Sequence, residues 1–369
     1  MAGIEAARWV VGWYKITGVG VVEQHKAEEG EETAEEGLLL LPPQLHELHI
    51  DHCRALRLCP DSLQGLYSLR SLHITNSCHF HSSSSCFLFP TSLQSLDLVR
   101  VRTSSRLSNL TSLTKLWVED CRGLGGADLA RLLAHGCLRE LFISRTPDFF
   151  SIGPEEPPMP QQGLSFPSSK LLSLWTDDFA GVLDAPICRL LSSYLTELAF
   201  SYNHEMGRLT KEQDDALQLL TSLQKLDLSL CKRLQCLPAG LHRLTNLKRL
   251  EIAGSPAICS LHKDGLPDSL QELYINDGDI RSLHKDSLPN SLRKLKISSC
   301  SGILPKDGLP NSLQELDISF CPSIRALPKG SLPTSLLVLD VCLSDSKELK
   351  WQCRKLIGTI PIVKLHPLQ

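Results

Sequence analysis

Aromatic residues account for only 5% of the 369 residues, methionine occurs three times, and neither sign of charge prevails, with 38 Lys and Arg against 41 Asp and Glu. A net charge of -3 and a pI near 6.5 give no field of the kind that draws DNA, RNA or an anionic membrane surface. Neither nucleic acid nor membrane is therefore expected as a partner. No stretch reaches the 18 or more uninterrupted apolar residues of a spanning helix, and Met1 to Gln24 lacks the basic start, apolar run and cleavage site of a secretory leader. The expected location is the cytoplasm.

The motifs of common chemistries are missing as well. There is no G-x-x-x-x-G-K-[ST] phosphate loop, no G-x-G-x-x-G, no H-E-x-x-H and no G-x-S-x-G. The chain is expected to bind no nucleotide, to hold no cofactor and to catalyse nothing. Its 14 cysteines include no C-x-x-C pair and fall mostly among leucines, which suits small buried hydrophobes in a reducing compartment. Cys78, His79, His81 and Cys86 come nearest to a zinc cluster, but their spacing matches no common site, so no metal is expected. Asn276-Asp277-Gly278-Asp279 lacks the closing Glu of a calcium loop and reads as a turn.

What the chain has in excess is leucine, 71 residues of it. The pattern L-x-x-L-x-L recurs thirteen times, beginning at Leu45, Leu69, Leu93, Leu113, Leu138, Leu171, Leu195, Leu223, Leu247, Leu270, Leu292, Leu313 and Leu336, with a mean period of about 24 residues. The Leu171 match is the weakest, because Thr176 takes its third apolar slot. Alternation at x-L-x-L-x gives a short strand with one face inward, and a unit this small buries that face only when neighbours stack on both sides. Cys53, Cys121, Cys231, Cys300 and Cys321 occupy the turn slot after the strand. A 20-to-29-residue unit of this kind resembles a leucine-rich repeat. The resemblance implies an α/β solenoid, a curved horseshoe with a parallel β-sheet on its concave face and irregular, 3₁₀ or short helical returns on its convex face.

Pro and Gly punctuate most returns, as in Asp264-Gly265-Leu266-Pro267 and Asp307-Gly308-Leu309-Pro310, which predicts extended or 3₁₀ segments there. Two returns predict helices instead: Ala127 to Ala134, free of breakers, and Thr210 to Leu220, which opens with a capping box of Thr210 and Gln213. Three regions complete the organisation. Residues 1–37 form an acidic segment, with seven glutamates between Glu23 and Glu36, expected to stay solvated and unfolded. Residues 38–345 form the array, interrupted by a Pro-rich excursion at 147–170 with six prolines between Pro147 and Pro167. Residues 346–369 are expected to cap the last coil.

The exposed x positions of stacked strands lie about 5 Å apart and build a continuous surface. Its middle column places Trp117, Phe142 and Trp175 in successive coils, an aromatic cluster where polar residues are the rule. Such clusters mark partner sites, unless the 147–167 segment folds over them. Further on the surface turns charged with mixed sign: Lys225, Asp227, Arg249, Glu251, Glu272, Lys294, Lys296, Glu315 and Asp317, with Tyr274 among them. These residues read either as a ladder of cross-strand ion pairs or as a patterned docking surface. A column of Lys263, Lys285, Lys306 and Lys329 on one turn edge reads as solubilising.

The repeat dialect is specific. Leu110-Thr111-Ser112-Leu113, Leu219-Leu220-Thr221-Ser222-Leu223-Gln224-Lys225-Leu226-Asp227-Leu228, Gly308-Leu309-Pro310-Asn311-Ser312-Leu313-Gln314-Glu315-Leu316 and the ending Cys353-Arg354-Lys355-Leu356-Ile357-Gly358-Thr359-Ile360-Pro361 resemble the repeat domain of plant, especially cereal, nucleotide-binding leucine-rich-repeat immune receptors. The resemblance covers about residues 41 to 369. It implies a non-catalytic module of defence whose partner is a protein: a pathogen effector, a guarded host protein, or an intact receptor that it regulates. Those receptors carry a coiled coil and a nucleotide-binding switch ahead of their repeats, whereas about 40 residues precede the array here. A substrate-binding adaptor of a ubiquitin ligase is the second class, although residues 1–37 carry no convincing ligase-binding helix, and a non-functional receptor fragment is the third.

Overall fold

The computed structural model describes residues 13–17, 43–52, 63, 65–76, 79–80, 89–103, 107–151, 169–261, 265–277, 280, 283, 285–300, 304–305, 308–328, 332–342 and 346–365. The chain divides into two compact units, Met1–Leu171 and Leu172–Gln369.

In the first unit, β1 (Trp13–Thr17), β2 (Glu47–Asp51), β3 (Ser71–Thr75), β5 (Ser95–Val99), β7 (Lys115–Glu119) and β8 (Glu140–Ser144) pair in that order, every pair parallel. The minor strands β4 (His79–Phe80) and β6 (Arg102–Thr103) make a separate parallel pair. The register aligns equivalent leucines, Leu48 with Leu72, Leu72 with Leu96, Leu96 with Leu116 and Leu116 with Leu141, so each inward side chain stacks on its counterpart one coil away. Those leucines are fully buried, each contributing about 1.5–3 kcal/mol of apolar transfer free energy.

The second unit repeats the scheme with β9 (Ser173–Thr176), β10 (Glu197–Ser201), β11 (Lys225–Ser229), β12 (Arg249–Ala253), β13 (Glu272–Asn276), β14 (Lys294–Ser298), β15 (Glu315–Ser319), β16 (Val338–Asp340) and β17 (Ile362–Lys364), paired consecutively and in parallel. Parallel pairing needs a crossover between strands, and here each return supplies it. The thirteen L-x-x-L-x-L matches coincide with β2, β3, β5, β7 and every strand from β8 to β16. Both units are α/β leucine-repeat solenoids.

Three recurrent devices hold the coils. First, the residue after most strands takes a left-handed backbone, as at Asn76 (φ 46°), Asp120 (φ 51°) and Asp277 (φ 50°), and its N–H donates to the end of the next strand. The Asn276-Asp277 pair is thus part of this turn series. Second, the turn slot holds a hydrogen-bonding side chain: Cys121, Cys231, Cys300 and Cys321 are buried, and their thiols donate to strand carbonyls, Cys321 to Ile297 at 3.4 Å. Burial pushes the Cys121 thiol up to about 11 and that of Cys231 up to about 12. Third, the serine before the leading leucine donates to the carbonyl of the preceding coil's leading leucine, Ser92 to Leu69 at 2.7 Å, Ser269 to Leu247 at 2.8 Å and Ser312 to Leu292 at 2.7 Å.

The expected helices form. The first, α1 (Gly126–His135), is closed by Gly136 at φ 67°. Two unexpected helices, α2 (Phe179–Val182) and α3 (Ala185–Leu191), serve the weak Leu171 repeat. Asp178 caps α2 by accepting from the Gly181 N–H at 2.8 Å, and Pro186 lies in the first turn of α3. Phe179 stacks on Phe200 of β10 at 3.8 Å, and Thr176 occupies the third inward slot, 2% exposed, with its hydroxyl accepting from the Asp178 N–H at 3.0 Å. The capping box of α4 (Lys211–Leu217) is present in both directions, and Ser346 caps α5 (Lys347–Arg354).

Three boundaries differ from the sequence reading. Within residues 1–37, assigned above to a solvated unfolded segment, β1 extends the sheet, with Tyr14 and Ile16 in register with Leu48 and Ile50. Its short apolar alternation was masked by the glutamates that follow it; those glutamates lie outside the described residues. The Pro-rich excursion starts later than 147, because Phe149 and Phe150 pack edge-to-face at 5.6 Å in the core. The closing segment adds not only a helix but a strand, β17.

Candidate functional site

The outward residues of each strand form the surface on which a partner could be held. In the first unit, Trp117 of β7 and Phe142 of β8 are direct neighbours in the register and stack with ring centroids 3.7 Å apart and planes 14° from parallel. Both are half-buried. Ion pairs flank them: Lys115 with Glu140 at 2.7 Å on one side, and Glu119 with Arg145 on the other. The first raises the Lys115 pKa through the Glu140 hydrogen bond. An apolar pair framed by neutralised charge is the arrangement of an interface centre with a polar rim. Trp175 lies on β9, the first strand of the second unit, 41% exposed and in register with Ala199. The 152–168 segment that could cover these rings lies outside the described residues, as do the side chains of the lysine column and of the Cys78 cluster.

Upstream on the same column sits a pair that sequence reasoning passed over. His49 and His73 face each other at 5.3 Å; His73 Nδ1 donates to Asp97 Oδ2 at 3.1 Å and His49 Nε2 to Glu47 at 2.7 Å. The signal was the same column position in adjacent repeats, which register turns into contact.

In the second unit the charged residues are brought together as an ion ladder. Arg249 reaches Glu251 at 3.1 Å and Glu272 at 3.7 Å, Lys294 reaches Glu315 at 2.9 Å, Lys296 reaches Asp317 at 3.1 Å, and Lys225 lies 3.9 Å from Glu197. Each pair is partly exposed and contributes well under about 1 kcal/mol. Tyr274 is the ladder's centre: Arg249 lies over its ring at 4.2 Å, Lys294 at 5.7 Å, and its hydroxyl donates to Glu272 at 3.1 Å. Burial, then Glu272, push the phenol's pKa up. Asp227 is set apart, only 8% exposed, its carboxylate accepting from the Ser229 hydroxyl; burial pushes its pKa above the ordinary carboxylate value. At the N-terminal ends of β10 to β13, Glu197, Lys225, Lys248 and Glu272 line an open groove of about 450 Å³.

The family described as leucine rich repeat matches residues 43–100, and the family described as FNIP repeat matches residues 281–321. The fold is that of leucine-rich repeats. Among solved structures similar to it, the mouse RP105/MD-1 complex covers 88% of this chain and 52% of that one at 18% identity, with a TM-score of 0.52. CroV588, a circular LRR protein, covers 84% and 45% at 17% identity (TM-score 0.49), and an internalin from Listeria monocytogenes covers 87% of each chain at 14% identity (TM-score 0.41). The chain spans about half the length of the first two. No curated protein matches the sequence. Leucine-rich-repeat domains commonly present such a sheet face as a scaffold for protein binding rather than for catalysis. No helix among the described residues is long and apolar enough to cross a membrane.

Proposed function

We propose that this leucine-rich-repeat domain is a non-catalytic protein-binding module of plant defence, which captures a pathogen or host protein or regulates an intact nucleotide-binding receptor in the cytoplasm. The observation that carries the binding reading is the Trp117–Phe142 stack on the outward face of the sheet. Large aromatics in that column are not needed for the fold, since Asp97 and Asp227 occupy the same position elsewhere. Set in a polar rim, a half-buried aromatic pair is the chemistry of an interface hot spot. The defence role rests on the receptor-like phrases of the array, and the cytoplasmic setting on cysteines scattered among the repeat leucines without a C-x-x-C pair.

The test is affinity capture by the full chain from plant cytosol, with and without a pathogen extract, beside a Trp117→Ala, Trp175→Ala variant. Recovery of a nucleotide-binding receptor or a pathogen protein, lost in a variant that still unfolds cooperatively at an only slightly lowered melting point, is the expected result. Capture of ligase subunits instead would replace the defence role, and loss of folding in the variant would make the tryptophans core residues and remove the patch.

A further inference from the structure

The residue just before each strand of the second unit forms a row of its own. From β11 to β16 it reads Gln224, Lys248, Gln271, Arg293, Gln314 and Leu337, without a carboxylate. The row is rigid. Each of these carbonyls up to Gln314 accepts two N–H groups from the next coil, as Gln271 does from Arg293 at 2.8 Å and Lys294 at 2.9 Å, so positions repeat once per strand. Its charges are unspent: the neighbouring Arg249 and Lys294 are held by Glu272 and Glu315, whereas Lys248 and Arg293 are exposed and have no carboxylate partner among the described residues. Among the described residues, the Lys248 ammonium donates to the Gln224 side chain, at 3.4 Å. Beyond Gln314 the row turns apolar. Leu337 and Ile362 are each 49% exposed and adjoin through the Ile362 N–H bond to the Leu337 carbonyl at 3.0 Å, with Val338 in register beside Ile362.

The spacing identifies the guest. Lys248 and Arg293 are two strands apart, as are Arg293 and Leu337, so the three stations follow at intervals of about 9.6 Å. A β-strand laid across them offers same-face side chains at about 6.6 Å and falls out of step. A polyproline-II segment has three residues per turn and a rise of about 3.1 Å, and returns a side chain to the same face every about 9.3 Å. It also leaves its carbonyls without internal partners, which the amides of Gln271 and Gln314 between the stations can serve.

We infer that this N-terminal rim of the sheet docks a polyproline-II segment of a partner protein, with acidic residues at positions i and i+3 against Lys248 and Arg293 and an apolar residue at i+6 against Leu337, Val338 and Ile362. It rests on the protein-binding reading above but uses none of the aromatic residues that carry it.

The test is selection of a random phage-displayed dodecapeptide library on the immobilised full chain, in parallel with Lys248→Glu, Arg293→Glu, with the milder Lys248→Gln, Arg293→Gln, and with Trp117→Ala. The expected winners carry Asp or Glu, two residues, Asp or Glu, two residues, then Leu, Ile or Phe, with proline in the intervening places. A synthetic peptide from the leading clone should lose at least about tenfold in affinity on charge reversal and less on neutralisation, weaken with salt, and keep its affinity for Trp117→Ala. Unchanged melting points establish that the rim variants fold. Winners without the spacing, winners indifferent to charge reversal, or no enrichment overturn the proposal. Winners lost only in Trp117→Ala would overturn it while leaving the protein-binding reading in place.

Discussion

The backbone N–H of Cys231 donates to the hydroxyl of Ser255 at 3.1 Å, and that hydroxyl reaches the Leu228 carbonyl at 3.1 Å, so one residue of a coil closes the turn of the coil before it. The Cys231 thiol reaches the Phe200 and Ser229 carbonyls at 3.5 Å in the same way. Thr146 plays this part for Cys121, accepting from its N–H at 3.3 Å and donating to Ser144 at 3.1 Å. The slot therefore selects for a small donor that is also an acceptor.

It follows that Cys231→Ser should cost less than about 1 kcal/mol, because a hydroxyl fills the same place at Ser255. Cys231→Val keeps the volume but removes the thiol's hydrogen bonds to the Phe200 and Ser229 carbonyls, which keep backbone donors, at a cost of about 0.5–1.5 kcal/mol. Urea denaturation of the pair decides it; equal losses would make the thiol a packing group only.

Asp227 gives a pH dependence of known sign. Burial raises its folded-state pKa above the ordinary 3.8, so the folded state holds the proton more tightly than the unfolded chain and the ionised form burdens stability at neutral pH. Asp227→Asn keeps an acceptor for the Ser229 hydroxyl and should raise the melting point at pH 7. The gain should shrink as pH falls from the raised value and vanish below the ordinary carboxylate range. A difference in melting point that is flat with pH would show that the carboxyl carries no such burden.

The repeat strands could be read from the sequence because one signal, leucine at fixed offsets, determines both the strand and the side it buries. Strands without that signal could not be: β1 carries Tyr14 and Ile16 in place of the leucines, and β17 lies beyond the last match. The helices α2 and α3 were missed because their cues, Asp178 and the Asp184-Ala185-Pro186 sequence, are local while the repeat pattern there is weakest. On the candidate site, the columns were legible and the partners were not. Sequence placed Arg249, Glu272 and Tyr274 on one face, but only the register shows Arg249 lying over the Tyr274 ring. The row that includes Lys248 and Arg293 escaped notice because it falls just outside the x-L-x-L-x strand, where the pattern assigns no role.

Adjacent residues on opposite faces of β7 separate binding from folding. Leu116 is buried in the leucine stack, and Leu116→Ala should cost about 2–5 kcal/mol. Trp117→Ala removes a half-buried ring and its stack with Phe142, at about 0.5–1.5 kcal/mol beyond its modest burial, and should remove partner capture. Melting curves of the two variants beside capture assays make the comparison. Trp117→Ala melting as low as Leu116→Ala would place the ring in the core.

Gly254 tests why one left-handed turn in the series needs glycine. Its φ of 57° is shared by side-chain-bearing residues at the same place in other coils, Asn76 at 46°, Asp277 at 50° and Ser299 at 52° among them, so the backbone angle alone does not demand glycine. What differs is space: a Cβ at position 254 would lie 2.6 Å from Leu230 Cδ2, and Leu230 is itself the left-handed residue of the preceding coil. Two side chains in successive turns compete for one volume, and a Cβ at position 254 makes the end of the Leu230 side chain swing aside. Gly254→Asn, a residue that tolerates this angle, should therefore cost about 0.5–1.5 kcal/mol in the native background, the cost of forcing the Leu230 side chain off its rotamer. In a Leu230→Ala background the same substitution should be nearly neutral. The coupling is read from a double-mutant cycle by urea denaturation. A cost that persists after Leu230→Ala would assign the glycine to its backbone angle, and the steric account would fail.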